Sequence, residues 1–499
     1  MLPIAYGPFV KYNPRMPIQN LQPTDVSECV NTVLVDGVAK LSPGFTKLLA
    51  DDLNEEIKLI QEHLNPDGTR FVCVHTKTKF YVYDPATGTL VDYSQGAGYT
   101  SSEFWSATSY GTVYVFTNGA ENPQVWTAIG TLADAIDLAN APKCRIVRTF
   151  GPYLIAAAII DVGDTKRLRE IRWSASNDIT NWTTLDSGFA TAYEGEGPIV
   201  ALEILTRDSL VIYKEKSLHT LPFVGAPYYF VVSNSISGVG ARVRRAGVAR
   251  IGNIHVVMST QGLVSFDGAV FSEFQPVIKS IYDQYAMTPY IDGAIIIYDN
   301  MRRRLFIGFP EDKSYKITTM LVWEQQTDNW HVETGLSLYA LGVAQLDDTT
   351  TTWDGVDASI TWDAMEGIWD SGGSRPRLLL ADDHYIYKED QSYFLRDAAG
   401  YTGTVILGLR NPSAELWEAP FKMAELVQAD ILGVVGNPTI QVGTVDVPGG
   451  SIVYGAPLPI TNGRAFTTKV GRWFTFKIIG SSNFGVSGIV AYFVPRGVY

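Results

Sequence analysis

The sequence predicts a mainly β chain: a divergent β-propeller of about six to eight blades with an extended N-terminal arm and an additional C-terminal antiparallel β-domain. Three features predict it. Short runs of alternating β-branched or aromatic residues, each closed by a tight polar turn, recur at roughly 45-residue spacing, the period of a propeller blade. Examples are FVCVHTKTKFYVYDPATGTLVDYS (Phe71 to Ser94), SLVIYKEKSLHTLPF (Ser209 to Phe223), NIHVVMSTQGLVSFDGAVFSEF (Asn253 to Phe274) and TMLVWEQQTDNWHVET (Thr319 to Thr334). Prolines crowd the first 50 residues, and the pattern changes again beyond about residue 396. The expected division is therefore an arm with a hairpin over 1–50, a propeller over 51–395 and a β-domain over 396–499.

In the arm, Pro3, Pro8, Pro14, Pro17 and Pro23 exclude a helix and favour extended chain. Its apolar residues Ile4, Phe9, Val10, Ile18 and Leu21 need a surface to lie on, either their own domain or a neighbouring subunit. VNTVLVDGVAKLSPGF follows, where Asp36–Gly37 separates two short apolar runs and signals a hairpin. DDLNEEIKLIQEHL (Asp51 to Leu64) reads as a helix of one to two turns, with an acidic start and a stop at Asn65–Pro66–Asp67–Gly68. From Phe71 to Glu389 roughly seven strand-rich units follow, with hairpin turns such as Asp84 to Gly88 and Asp267–Gly268.

One insertion interrupts them. TTTTWDGVDASITWDAMEGIWDSGG (Thr349 to Gly373) repeats Trp-Asp at Trp353–Asp354, Trp362–Asp363 and Trp369–Asp370, with Asp347, Asp348, Asp357 and Glu366 adding charge. A stretch of that length without its own secondary structure is usually functional or disordered. The bulky tryptophans favour an ordered projecting loop. Beyond residue 396, runs such as PTIQVGTVDVPGG and WFTFKIIGSSNFGVSGIVAYFVP read as strands joined by Gly, Pro and Asn turns.

A net charge of −13, spread along the chain, disfavours general nucleic-acid binding, because phosphate contacts need clustered Lys and Arg. Cys29, Cys73 and Cys144 are odd in number and far apart, so neither a disulfide framework nor a zinc spacing follows from them. Cys73 and Cys144 lie in apolar runs as small core residues. The first residues lack the pattern of a signal peptide, and no stretch reaches the roughly 20 apolar residues that span a bilayer. A soluble protein is expected.

Few residues suggest chemistry. The histidines His63, His75, His219, His255, His331 and His384 form no HExxH spacing, and His255 alternates with apolar neighbours as a core histidine does. Ser174 lacks a GxSxG elbow, and SGVGARVRRAG fails the Walker pattern. Asp178, Asp186, Glu194, Glu196, Asp299 and the Trp-Asp loop supply candidates for a glycosidase pair, which needs two carboxyls about 5–9 Å apart. No catalytic residue, cofactor or metal ligand is assigned. Two basic clusters stand out, Arg302–Arg303–Arg304 as a solvated bend with local ion pairs, and Arg242, Arg244, Arg245 and Arg250 in a glycine-punctuated loop. The latter four, with Trp353, Trp362 and Trp369, are the candidates for a subunit interface or channel loop.

The order of these parts resembles the tail hub, or nozzle, proteins of tailed bacteriophages, also described as packaged-DNA stabilisation proteins. The Asn31…Gly37…Pro43–Gly44–Phe45 pattern and the Ser174–Asn177–Asp178…Trp182 turn carry most of the likeness, with LVIYKEKSLHTL and SISGVGARVRRAGVARIG between later strands. Members often have Arg-Pro-Gly in the arm, where this chain has Ser42–Pro43–Gly44. The resemblance implies a structural virion protein and no enzyme: a subunit of a homo-oligomeric ring, commonly a hexamer, assembled in the host cytoplasm and residing in the virion tail. The ring would extend the DNA exit channel below the portal and adaptor, retain the packaged genome and pass it at infection. Implied partners are the adaptor protein, tail fibre, spike or needle proteins, and double-stranded DNA in transit without specific binding, with no membrane insertion. The alternative is a carbohydrate-binding or glycoside-hydrolysing propeller acting as an isolated monomer.

Overall fold

A computed structural model of the chain describes residues 1–161, 165–243, 247–346, 375–390, 393–418 and 423–496. It is mainly β, with many small antiparallel sheets. Seven four-stranded antiparallel meanders, sheets I to VII, follow one another; they begin with Ile57–Leu64, Ser106–Tyr110, Cys144–Phe150, Ile199–Thr206, Val248–Ile251, Ile295–Asp299 and Ala340–Leu346. Each first strand packs beside the first strand of the next sheet, and that of sheet VII packs beside that of sheet I, so the series closes on itself. Neighbouring first strands run the same way: Val147 N–H donates to Ser106 Oγ at 3.1 Å and Thr149 N–H to Thr108 Oγ1 at 3.0 Å.

Sheet VII is completed from the other end of the chain. Its fourth strand is Gly44–Lys47, which pairs antiparallel with Ile386–Asp390. The boundary expected at residue 50 therefore shifts, because strand pairing and not the proline content decides where residues 44–47 belong. Gly44 is there for space: a Cβ on it would lie 2.1 Å from Leu395 O.

The segment read as a helix, Asp51 to Leu64, is corrected: Ile57–Leu64 is the first strand of sheet I, paired with Arg70–Thr76. Its register shifts between Ile57 and Leu59. The strand is covered on both faces, Ile57 and Ile60 against sheet VII and His63 against Tyr114 and Trp126 of sheet II, and this three-residue spacing imitates a helical stripe. Asn65 to Gly68 forms the connecting turn, with Gly68 N–H donating to Asn65 O at 3.0 Å. The Asp36–Gly37 and Asp267–Gly268 turns form as read, with positive φ at Asp36, Gly37 and Gly268.

The first 43 residues and the chain beyond 402 build one further body. One sheet runs Leu2–Tyr6, Gly488–Arg496, Met423–Leu432, Arg464–Gly471. A second layer runs Asp25–Val30, Gly403–Leu407, Trp473–Gly480, Thr439–Val445 and joins sheet VI through a parallel pairing of Val30 with Val332. The arm lies on its own chain: Ile4, Tyr6, Phe9, Tyr12 and Leu21 are buried, whereas Val10 and Met16 are exposed. Tyr6 meets Phe476 edge-on at 5.1 Å, and Phe474 meets Phe493 at 4.9 Å, the geometry aromatic quadrupoles favour.

Between sheets I and II, His75 stacks on Phe80 and Trp105, each 4.9 Å away, with Nε2 3.3 Å from Tyr114 Oη. Burial pushes its pKa down to about 3. The unfolded chain takes up this proton below its ordinary value of 6.5 while the folded protein does not. Stability should therefore be lost as pH falls from 6.5 towards 3, by up to about 1.4 kcal/mol per pH unit from this group. His75→Phe should flatten that slope in urea titrations at pH 7, 6, 5 and 4. Equal slopes for the two proteins would show that His75 is not the group responsible.

Candidate functional site

All seven first strands line one central cavity of about 490 Å³. Its middle is apolar, with Ile60, Ala107, Ala201, Val248 and Val343 among the lining residues, as inward positions on half-buried strands dictate. Charged side chains sit towards the two ends of the strands. Near the starts stand Lys58 and Arg145; near the ends stand Glu62, Arg148, Glu203 and Arg250.

The charges whose partners are defined act as struts between sheets. Arg148 of sheet III pairs with Glu203 of sheet IV. Glu62 of sheet I takes Arg70 at 3.0 Å and also accepts Gln345 N–H of sheet VII at 3.0 Å. Lys58 is buried, 2.5 Å from both Glu56 and Glu103, and Lys77 meets the same two carboxylates at 2.9 and 3.2 Å. Burial alone would raise the Glu56 pKa, but hydrogen bonds from Lys58 and Lys77 outweigh it and hold it below the ordinary value. His255 closes the joint between sheets IV and V: Tyr213 Oη donates to Nδ1 at 2.8 Å, which leaves Nε2–H to donate to Ile204 O at 3.0 Å.

Of the residues singled out from sequence, Arg250 does line the cavity, with Nε donating to Gly252 O at 3.0 Å. Arg242 does not reach it with Arg250 as a pair; its Nη1 donates to Ala286 O at 3.0 Å, at the end of the helix Lys279–Ala286. Arg244, Arg245, Trp353, Trp362 and Trp369, with the whole loop 349–373, lie outside the described residues.

The candidate glycosidase carboxylates are each engaged locally. Asp178 accepts Thr180 N–H at 3.0 Å, Asp186 accepts Tyr153 Oη at 2.8 Å and Ser176 N–H at 3.0 Å, and Glu196 pairs with Lys216 at 2.6 Å. Glu194 accepts Ser235 N–H at 2.8 Å, and buried Asp299 accepts Met301 N–H at 3.0 Å. Ser174 is buried, its Oγ accepting Leu154 N–H at 3.0 Å. Cys29, Cys73 and Cys144 are free and buried, and burial raises all three thiol pKa values. Among the described residues no group of three His, Cys, Asp or Glu is placed to hold a metal ion, and no helix is long and apolar enough to cross a membrane.

Arg302 and Arg304, read as a solvated bend with local ion pairs, are corrected in part: Arg302 does meet Asp299 at 4.0 Å, but both arginines also reach Glu389 of sheet VII, and Arg304 meets Glu324 at 3.0 Å. The sequence did not point to Glu389 because it is far along the chain. Three polar residues hold joints that the sequence does not announce, Asn31 standing out there only as part of the family pattern. Lys214 is buried and donates to Ala192 O, Glu194 O and Gly195 O at 3.1, 2.6 and 2.9 Å, and burial lowers its pKa. Asn31 joins the two bodies, accepting Thr334 N–H at 2.8 Å and Arg396 Nη2 at 3.1 Å while donating to Thr402 O at 3.0 Å. Arg396 also pairs with buried Glu333 and lies 4.2 Å over the Tyr401 ring. The lone Lys ending the apolar run LVIYK was the one available signal.

No protein-family model matches the sequence, and no curated protein matches it. Among solved structures the chain is similar to one chain of a crystal structure of the mitotic checkpoint complex, with a TM-score of 0.42 and 8% identity over 70% of this chain and 93% of that chain. At that level the likeness leaves the architecture to the sheets themselves.

Proposed function

We propose that this chain is a seven-bladed propeller subunit of a bacteriophage tail nozzle, a structural protein that assembles as a ring around the DNA exit channel. The single observation that carries this reading is where the residues of the resemblance sit. Asn31, Gly37 and Pro43–Gly44–Phe45 lie where the arm enters the second body and then closes sheet VII. Ser174 to Trp182 forms the self-bonded link between the last two strands of sheet III, with Trp182 Nε1 donating to Ile179 O at 2.7 Å. These residues shape the scaffold, as a subunit whose work is mechanical requires.

Charge fits the same reading. Residues 1–43 and 403–499 carry 10 basic and 8 acidic side chains out of the chain's 39 and 52, which leaves −15 on residues 44–402. An acidic wall repels phosphate, so a genome slides past it instead of binding. Electron microscopy of the purified protein, alone and added to tails lacking it, tests the proposal: rings coaxial with the tail are expected. A monomer that ignores tails but captures or cleaves glycans in array and hydrolase screens would establish the carbohydrate-active reading instead.

A further inference from the structure

The outermost strands of sheets I to V are short: Thr89–Asp92, Ile136–Asp137, Gly188–Thr191, Tyr229–Phe230 and Phe271–Glu273. Short edges are how β-proteins avoid unwanted pairing. The second body departs from this. Arg464–Gly471 is eight residues long, contains no proline and, beyond Arg464, which also bridges to Thr461, pairs on one side only, with Met423–Leu432. Its outward face exposes Phe466 (62%), Thr468 and Val470 (47%). The opposite edge of the same sheet, Leu2–Tyr6, likewise pairs on one side only, with Gly488–Arg496. Pro3, which has no N–H to give, limits that edge without abolishing it.

We infer that Arg464–Gly471 of one copy pairs with Leu2–Tyr6 of the next, so that the four-stranded sheets of successive copies join head to tail; this rests on the ring reading above. Three antiparallel steps separate the two edges, so they point in opposite directions. Repeating the subunit by rotation then sets edge against edge antiparallel, and the alternation continues unbroken through every copy. Such a heterologous contact closes by rotation, whereas pairing of one edge with itself stops at a dimer. Backbone groups supply the bonds and the exposed Phe466 and Val470 the apolar contact, as in strand addition generally. Electrostatics favours the same surface: this body has a net charge of +2 and residues 44–402 have −15, so copies meet where repulsion is least.

The test uses two full-length variants, Phe466→Lys/Val470→Lys on one edge and Ala5→Lys on the other, all at exposed positions. Light scattering should find wild-type rings, and single chains for each variant, with unfolding temperatures unchanged. Mixed one to one, the variants retain one intact edge each and should form a two-chain species and nothing larger. If Phe466→Lys/Val470→Lys forms wild-type rings, the edge assignment is wrong while the ring reading stands. If the mixed variants stay single beside an assembling wild type, the head-to-tail pairing is wrong. A wild type that remains a single chain at every concentration and forms no ring on tails lacking it overturns both.

Discussion

Arg396→Met will destabilise the protein by about 3–5 kcal/mol, the usual cost of stranding one partner of a buried ion pair. Glu333 is the partner stranded: it is 6% exposed and loses the guanidinium that pairs with it. Burial alone would raise the Glu333 pKa, but the His331 hydrogen bond and the Arg396 charge together hold it below its ordinary value of 4.5. A carboxylate held low stabilises the fold above 4.5, and that contribution is lost as pH falls through 4.5 and below. The gap between wild type and Arg396→Met should therefore be widest near neutrality and narrow in acid. Replacing both residues, Glu333→Leu with Arg396→Met, removes the stranded charge and should recover most of the loss. Urea denaturation of the four proteins at pH 7 and pH 4 measures all of this. A double variant as unstable as Arg396→Met would mean that the lost bonds to Thr334 O and Asn31, not the charge, carry the effect.

The second large effect is expected at Gly44. Its added Cβ in Gly44→Ala would stand 2.1 Å from Leu395 O and 2.8 Å from Leu395 N, both backbone atoms that cannot rotate aside. The strand Gly44–Lys47 must then move off Ile386–Asp390, which opens the joint between the chain's beginning and sheet VII. Overpacking costs about 1–3 kcal/mol, and a clash with backbone belongs at the upper end. Hydrogen exchange should show amide protection falling first in Ile386–Asp390 and Gly44–Lys47. Unchanged protection there, or a stability within about 0.5 kcal/mol of wild type, the range of an ordinary surface change, would remove the steric argument.

What could be read in the sequence was what neighbouring residues decide. NIHVVMSTQGLVSFDG announces two strands and the turn that follows them because alternation and the Asp267 side chain, which accepts Ala269 and Val270 N–H at 2.9 and 2.8 Å, are local. Ile57–Leu64 misled because its strand character comes from Arg70–Thr76 beside it and its burial from sheets on both faces, which no spacing rule anticipates. The roles of the residues that decide the joints stayed hidden for the same reason. Asn31 finds its partners at 334, 396 and 402, and Lys214 finds its carbonyls about 20 residues upstream, so nothing adjacent marks either as buried. Arg250 stood out through its charge, but charge alone did not distinguish it from Arg242, which serves a helix end.

Because Leu2–Tyr6 pairs with Gly488–Arg496, a strand made early in synthesis waits for a partner made far later. At the usual 5–20 residues per second that wait is roughly half a minute to more than a minute. Throughout it Ile4, Tyr6 and Phe9 are without their final burial partners, a standing invitation to chaperones. Truncation that removes Gly488–Arg496 should therefore harm solubility by orphaning Leu2–Tyr6.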